Sequence, residues 1–161
     1  METASIIAIF KESIFMVVVF VGFLLYTIAV GRQSITNLIL GLYFALLISV
    51  EFPYYDVLFS GTESKKVESV AMLVLFSILT VVFTILFARL MPREYLEGKF
   101  EDFWKKVLLA CAGTALVMAF SYHALPVTEI ITPGSPIAYL FGSESSFFWW
   151  LVAPIIVLFL T

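Results

Sequence analysis

Charge is scarce in this chain. Asp, Glu, Lys and Arg together make up 13% of its 161 residues, about half the roughly 25% usual in a soluble domain. Cysteine occurs once, at Cys111, and histidine once, at His123. A lone cysteine cannot close an internal disulfide, which excludes a membrane thiol oxidoreductase, since that chemistry needs a cysteine pair. One histidine and one cysteine do not make a zinc site of ordinary composition, so no metal and no cofactor is expected. Lys and Arg form no basic patch, and no nucleic-acid partner is expected. The hydrolase elbow, the phosphate-binding glycine loop, the zincin helix and the paired-carboxylate site are all missing, so no catalytic residues are assigned and the chain reads as a non-enzyme. Polar stretches are too short for a soluble domain, and neither an internal repeat nor a low-complexity linker is present.

What is abundant is apolar sequence. Hydrophobic residues make up 62% of the chain and the mean hydropathy is +1.08. About 20 apolar residues cover a hydrocarbon core of about 30 Å, and several runs approach or reach that length. The reading is an all-α, polytopic integral membrane helix bundle of four to five transmembrane helices, forming one domain over 1–161. The spans are expected at 13–31, 35–51, 70–91, 107–125 and 147–160. The first closes on Gly31-Arg32. It outruns the usual signal-peptide core of about 7–15 residues and is read as a retained helix, with 2–12 extending it as an interfacial turn. Pro53, Pro92 and Pro126 end the next three, because the residue before a proline is pushed away from helical geometry. The last run contains Pro154 and falls a little short of a full span at 1.5 Å per residue. It reads as a fifth helix, with a half-buried tail as the alternative.

Orientation follows from the basic residues. Arg32, Arg89, Arg93, Lys99, Lys105 and Lys106 fall on one side of such a bundle, and Lys11, Lys65 and Lys66 on the other. The positive-inside rule then places the N-terminus outside and the first and third connections in the cytoplasm. A plasma membrane, by default the bacterial inner membrane, is the expected location.

Three features stand out on the helices. Asn37, Gly41, Ala45 and Ser49 recur every four residues on the second span, with Ser34 extending the stripe. Ser77, Thr80, Thr84 and Ala88 do the same on the third, and Cys111, Ala115 and Ala119 on the fourth, with Gly113 and Thr114 alongside. Residues four apart share a helix face, and small residues let membrane helices approach closely, so these stripes are expected to pack helix on helix. A narrow polar path lined by Asn37, Ser49, Thr80 and Thr84 is the alternative. Glu51, Asp56, His123 and Glu129 form a possible titratable cluster at the outer helix ends, where they read chiefly as boundary residues facing headgroups or water. The segment 93–106 alternates charges with Tyr95, Phe100, Phe103 and Trp104, the pattern of an amphipathic helix on the inner membrane surface. The turn signal at 132–136 should fold 137–141 back onto the outer face.

Taken together, the Gly31-Arg32 turn after the first helix, the second span behind it, the charged segment before the fourth span and Gly113 early in that span resemble the colicin V production protein family of bacterial inner-membrane proteins. The resemblance covers roughly 13–125 and lies in layout. It implies a role in toxin export or envelope maintenance and no catalytic residues. The functional expectation is a membrane protein that assembles with itself or with other membrane proteins, its remaining partner being the lipid bilayer. A channel or transporter subunit using the polar stripes is the alternative.

Overall fold

The computed structural model describes residues 2–54, 65–91, 103–123 and 140–161, with side chains in α1 described from Ser13 onward. Among the described residues there are five helices and no strands: α1 (Glu2–Val30), α2 (Arg32–Val50), α3 (Lys65–Leu90), α4 (Phe103–His123) and α5 (Glu144–Leu160). Four contain stretches long and apolar enough to cross a membrane, and the shorter fifth has an apolar stretch at Ser146–Leu160. The chain is an all-α membrane bundle.

Each helix starts earlier than its hydrophobic run. Intrahelical hydrogen bonds do not stop where hydrocarbon stops, so the helices carry polar residues such as Arg32 at their ends. The largest extension is in α1, whose 29 residues span about 43 Å at 1.5 Å per residue, well beyond the hydrocarbon core. The expected surface helix at 93–106 lies mostly outside the described residues. From Phe103 the segment is already part of α4, with Phe103 and Trp104 exposed.

A single residue separates α1 from α2. Gly31 has φ 102° and ψ 168°, a region that a side chain makes costly. Its N–H donates to the carbonyl of Thr27 (3.0 Å), the last i→i−4 bond of α1, and its backbone then turns out of the helix through a region essentially reserved for glycine. Arg32 then opens α2. The bundle thus has a Gly31 end, where α1 and α3 finish and α2 and α4 begin, and an opposite Glu51 end.

α2 and α4 form the centre. α2 packs against α3, α4 and α1, while α4 packs against α1, α5 and α2. The apolar core is built from Ile35, Ile39, Leu42 and Ala45 of α2, Phe76 of α3, and Leu109, Ala112, Leu116 and Phe120 of α4. Phe120 is edge-on to both Tyr43 (6.3 Å) and Phe76 (6.1 Å). Gly113 of α4 accepts the ring of Phe23 from α1, so α1 approaches α4 over a residue with no side chain of its own. α1 and α3 lie at the periphery and turn long apolar faces outward, among them Val17, Val18, Val21 and Leu25 on α1, and Val74, Ile78, Val81 and Ile85 on α3. In a bilayer those faces meet lipid tails.

α5 runs antiparallel to α2. Arg32 Nη1 donates to the carbonyl of Thr161 (2.6 Å), and the Tyr43 hydroxyl donates to the carbonyl of Leu151. The two bonds fall at nearly equal separations along both helices, which requires α5 to lie alongside α2 and to finish at the Gly31 end. Pro154 sits inside α5. It offers no N–H to the Trp150 carbonyl and its ring opens that turn. Tyr43 donates to the next carbonyl of the opened turn, that of Leu151, and not to the Trp150 carbonyl itself. At the other end of α5, the Trp150 indole N–H donates to the Leu140 carbonyl (2.9 Å) and its ring stacks on Phe141 at 4.5 Å. Phe141 is itself buried and stacks on Tyr122 at 6.4 Å. Of the segment expected to fold back, 137–139 lies outside the described residues.

Candidate functional site

The small-residue stripe of α2 meets α3 in a tight seam. A Cβ on Gly41 would stand 2.6 Å from Thr84 Oγ1, 3.0 Å from the Thr84 nitrogen and 3.1 Å from the Thr80 carbonyl oxygen. Two of those three atoms are backbone, so the helix axes are as close as a glycine permits. The Gly41 hydrogen on that side points at oxygen, a weak C–H···O contact of the kind found between closely packed helices. Ala45 is fully buried one turn on, and Phe44 flanks the seam against Phe83 (5.7 Å) and Phe87 (5.1 Å).

On α3 the inward line runs through Ser69, Phe76 and Thr80, which are buried, and Leu73, Phe83 and Phe87, which are half-buried. Its alternating steps of four and three are the spacing of a two-helix seam. This corrects the stripe read from small residues alone. Ser77 and Ala88 are exposed, whereas Thr84 is half-buried and meets Gly41, because the contact face centres on Phe76, Thr80 and Thr84 and the other two small residues stand outside it. Bulky phenylalanines fill most of the seam, and closeness is concentrated at the Gly41 level. A second correction concerns α4. Cys111 is exposed on a narrow outward strip with Trp104 and Leu108, while Ala115 is half-buried and Ala119 fully buried. Because α4 is surrounded by three helices, only one strip stays open, and the 111–115–119 stripe crosses from that strip into the interior.

The hydroxyls along the helices are bonded within their own helices. Thr80 Oγ1 donates to Phe76 O (2.9 Å) and Thr84 Oγ1 to Thr80 O (2.7 Å). Thr27 donates to Phe23 O (2.6 Å), Ser77 to Leu73 O (2.8 Å), Thr114 to Ala110 O (2.7 Å) and Ser121 to Val117 O (2.8 Å). A hydroxyl carries one proton, so each of these has used it on the carbonyl four residues back. Asn37 is different. It is 4% exposed, and its side-chain oxygen has no hydrogen-bond partner. Ser49 is half-buried with a partner within the chain, and Ser34 is half-buried and reaches Val30 O at 3.5 Å.

Of the four residues read as a titratable cluster, only the side chain of Glu51 is among those described. Glu51 is exposed and caps α2 through its backbone N–H to Leu47 O (3.3 Å). His123 is the last residue of α4, with its side chain outside the description, and Asp56 and Glu129 lie outside the described residues. Among the described residues no group of three His, Cys, Asp or Glu side chains could hold a metal ion.

Two side chains that the sequence reading did not single out prove structurally informative. Tyr43 and Arg32 tie α5 to α2 across more than a hundred residues of chain. In the sequence Arg32 belongs to a turn between two spans, and Tyr43 carries no signal of its own. The available signal was Pro154, since a proline inside a span implies a donor on a neighbouring helix. Lys106 is also unexpected. Its side chain is 1% exposed and makes contacts within the chain, although the sequence places it beside Lys105 as an ordinary surface cation.

Comparison of the chain with protein-family models, with curated proteins and with solved structures finds no match.

Proposed function

We propose that this chain is a non-catalytic integral membrane protein that acts by assembling with itself or with other membrane proteins. The observation that carries the reading is the use made of the intramembrane hydroxyls. Those of Thr80, Thr84, Thr114 and Ser121 are bonded to their own helices, and the stripe that might have lined a path is closed at Gly41 by contact with the α3 backbone. Hydroxyl protons already bonded within their own helices, and a stripe closed by contact between two helices, favour a packing role over conduction. The open apolar flanks of α1 and α3 supply surface for partner helices as well as lipid. The resemblance to the colicin V production proteins points the same way, toward partners in export or envelope maintenance at the bacterial inner membrane. The positive-inside rule sets the Gly31 end in the cytoplasm and the N-terminus outside.

The test combines two measurements on the detergent-solubilised protein. Mass determination with identification of co-purifying chains should give a species heavier than one 18.1 kDa copy. Liposomes carrying the protein should be no more permeable to small ions than empty ones. A strictly monomeric particle with no co-purifying membrane protein, together with ion flux that Asn37→Leu abolishes, would replace this reading with that of a channel subunit.

A further inference from the structure

One polar atom in the α2–α3 seam is left without a partner by the packing around it. Asn37 is 4% exposed, and among the described residues its side-chain oxygen has no hydrogen-bond donor. A buried acceptor without a donor is costly, so one that persists calls for a donor from outside the chain, a water or an ion. Asn37 shares its helix face with Gly41 and so faces α3 one turn nearer the Gly31 end. Across the seam Thr84 stands against Gly41, with its hydroxyl proton already given to the Thr80 carbonyl (2.7 Å). A hydroxyl has one proton, so Thr84 Oγ1 offers Asn37 only lone pairs. Acceptor meets acceptor, and no direct bond joins the Asn37 oxygen to that hydroxyl.

We propose that Asn37 and Thr84 hold a single internal water between α2 and α3. It donates one hydrogen to Asn37 Oδ1 and the other to Thr84 Oγ1. Side chains four apart on a helix are about 5–6 Å from each other, and Thr84 Oγ1 lies at the Gly41 position of that pair. Two hydrogen bonds through one water oxygen, at about 2.8 Å each, cover that separation. Water meets the demand better than a cation. A divalent ion takes about six oxygens, several of them charged, whereas this site brings two neutral ones. Asn37 lies about 7–8 Å into α2 at 1.5 Å per residue, so the water enters from the Gly31 end. It goes no further, because Gly41 is in contact with the α3 backbone. The site is a closed, hydrated joint between two helices, and it stands whether or not the protein assembles with partners.

The full chain, isotope-labelled and held in deuterated detergent, tests this by magnetisation transfer from water to individual protein protons. The Asn37 side-chain amide and the Gly41 main-chain amide should receive it, and the Ala45 and Thr80 amides should not. Asn37→Leu, similar in volume, removes the acceptor and should abolish the transfer at Gly41. Asn37→Val serves the same purpose if the leucine variant does not fold. Ser34→Ala, nearer the same end of α2, should leave the transfer intact. Absence of transfer in the unsubstituted protein overturns the proposal, and an Asn37 side-chain N–H bonded directly to α3 would then account for the seam. Transfer that persists at Gly41 without Asn37 also overturns it, by assigning the signal to the exchanging Thr84 hydroxyl. Neither result touches the packing role proposed above. Transfer that reaches Ala45 and Thr80 overturns the closed joint and that packing role together, because water would then pass the Gly41 contact.

Discussion

Four glycines of this chain are glycine for different reasons. Gly31 has open space around it, and only its positive φ excludes a side chain. Gly41 is helical and excluded by contact with the backbone of α3, whereas Gly113 meets only the Phe23 ring, at 3.0–3.3 Å. Gly22 has nothing within 4 Å. Alanine at the four positions should therefore give four different results in thermal unfolding of the detergent-solubilised protein. Gly22→Ala should be neutral or stabilising by up to about 1 kcal/mol, from helix propensity alone. Gly113→Ala should cost little, because a ring can shift by a few tenths of an ångström. Gly31→Ala should cost about 1–3 kcal/mol of backbone strain, and Gly41→Ala a similar amount through overpacking. Adding Thr84→Ala to Gly41→Ala should restore only part of the loss, since the Thr84 nitrogen and Thr80 oxygen stay where they are. If Gly41→Ala behaves like Gly22→Ala, the seam is not as tight as described. Of these differences the sequence made two legible, since Gly31 already marked the turn that closes the first span. Gly41 lay on a small-residue stripe, but its contact with backbone rather than side chain depends on how α3 approaches.

At the scale of elements, α5 shows why hydropathy alone does not settle a short span. Its 17 residues reach about 25 Å at 1.5 Å per residue, and length left a tail as the alternative. The position of α5 is decided by Tyr43 and Arg32, each bonding to an α5 carbonyl. Tyr43→Phe removes one of these bonds without changing the packing of the ring. It should destabilise by about 0.5–1.5 kcal/mol and speed amide exchange in α5 more than in α3. The cost should shrink when Pro154→Ala is already present, because alanine returns an N–H to the Trp150 carbonyl and relaxes the turn that Tyr43 supports. Equal costs of Tyr43→Phe with and without Pro154 would show that the tyrosine is not tied to the proline. α3 presents the complementary case. The small residues Ser77 and Ala88 are exposed, while Phe76 is buried and Phe83 and Phe87 are half-buried. Leu, Val and Phe surround α3 on every side, and in such a sequence the hydrophobic pattern does not say which face meets protein and which meets lipid.

At the scale of the whole molecule, orientation in the membrane is the property still to be measured. We propose from six cations against three and the positive-inside rule that the Gly31 end is cytoplasmic. In a Cys111→Ser background, Lys66→Cys should react with an impermeant thiol reagent added from outside, and Lys99→Cys should be protected until the membrane is opened. The reverse pattern would invert the bundle. The sequence by itself determined that this is a helical membrane protein, with four apolar runs long enough to span, a shorter fifth, and a break at Gly31. Those properties are local, because the bilayer demands about 20 apolar residues per crossing and every backbone group satisfied within its own helix. Only the tertiary structure decided that α2 and α4 are central and α1 and α3 peripheral, that Cys111 and Ser77 face outward, and that Lys106 is buried. In lipid the inner and outer faces of a helix are equally apolar. Which face turns inward is decided by close contacts such as Gly41 on the Thr84 backbone and Tyr43 on the Leu151 carbonyl, between residues that the order of the chain does not bring together.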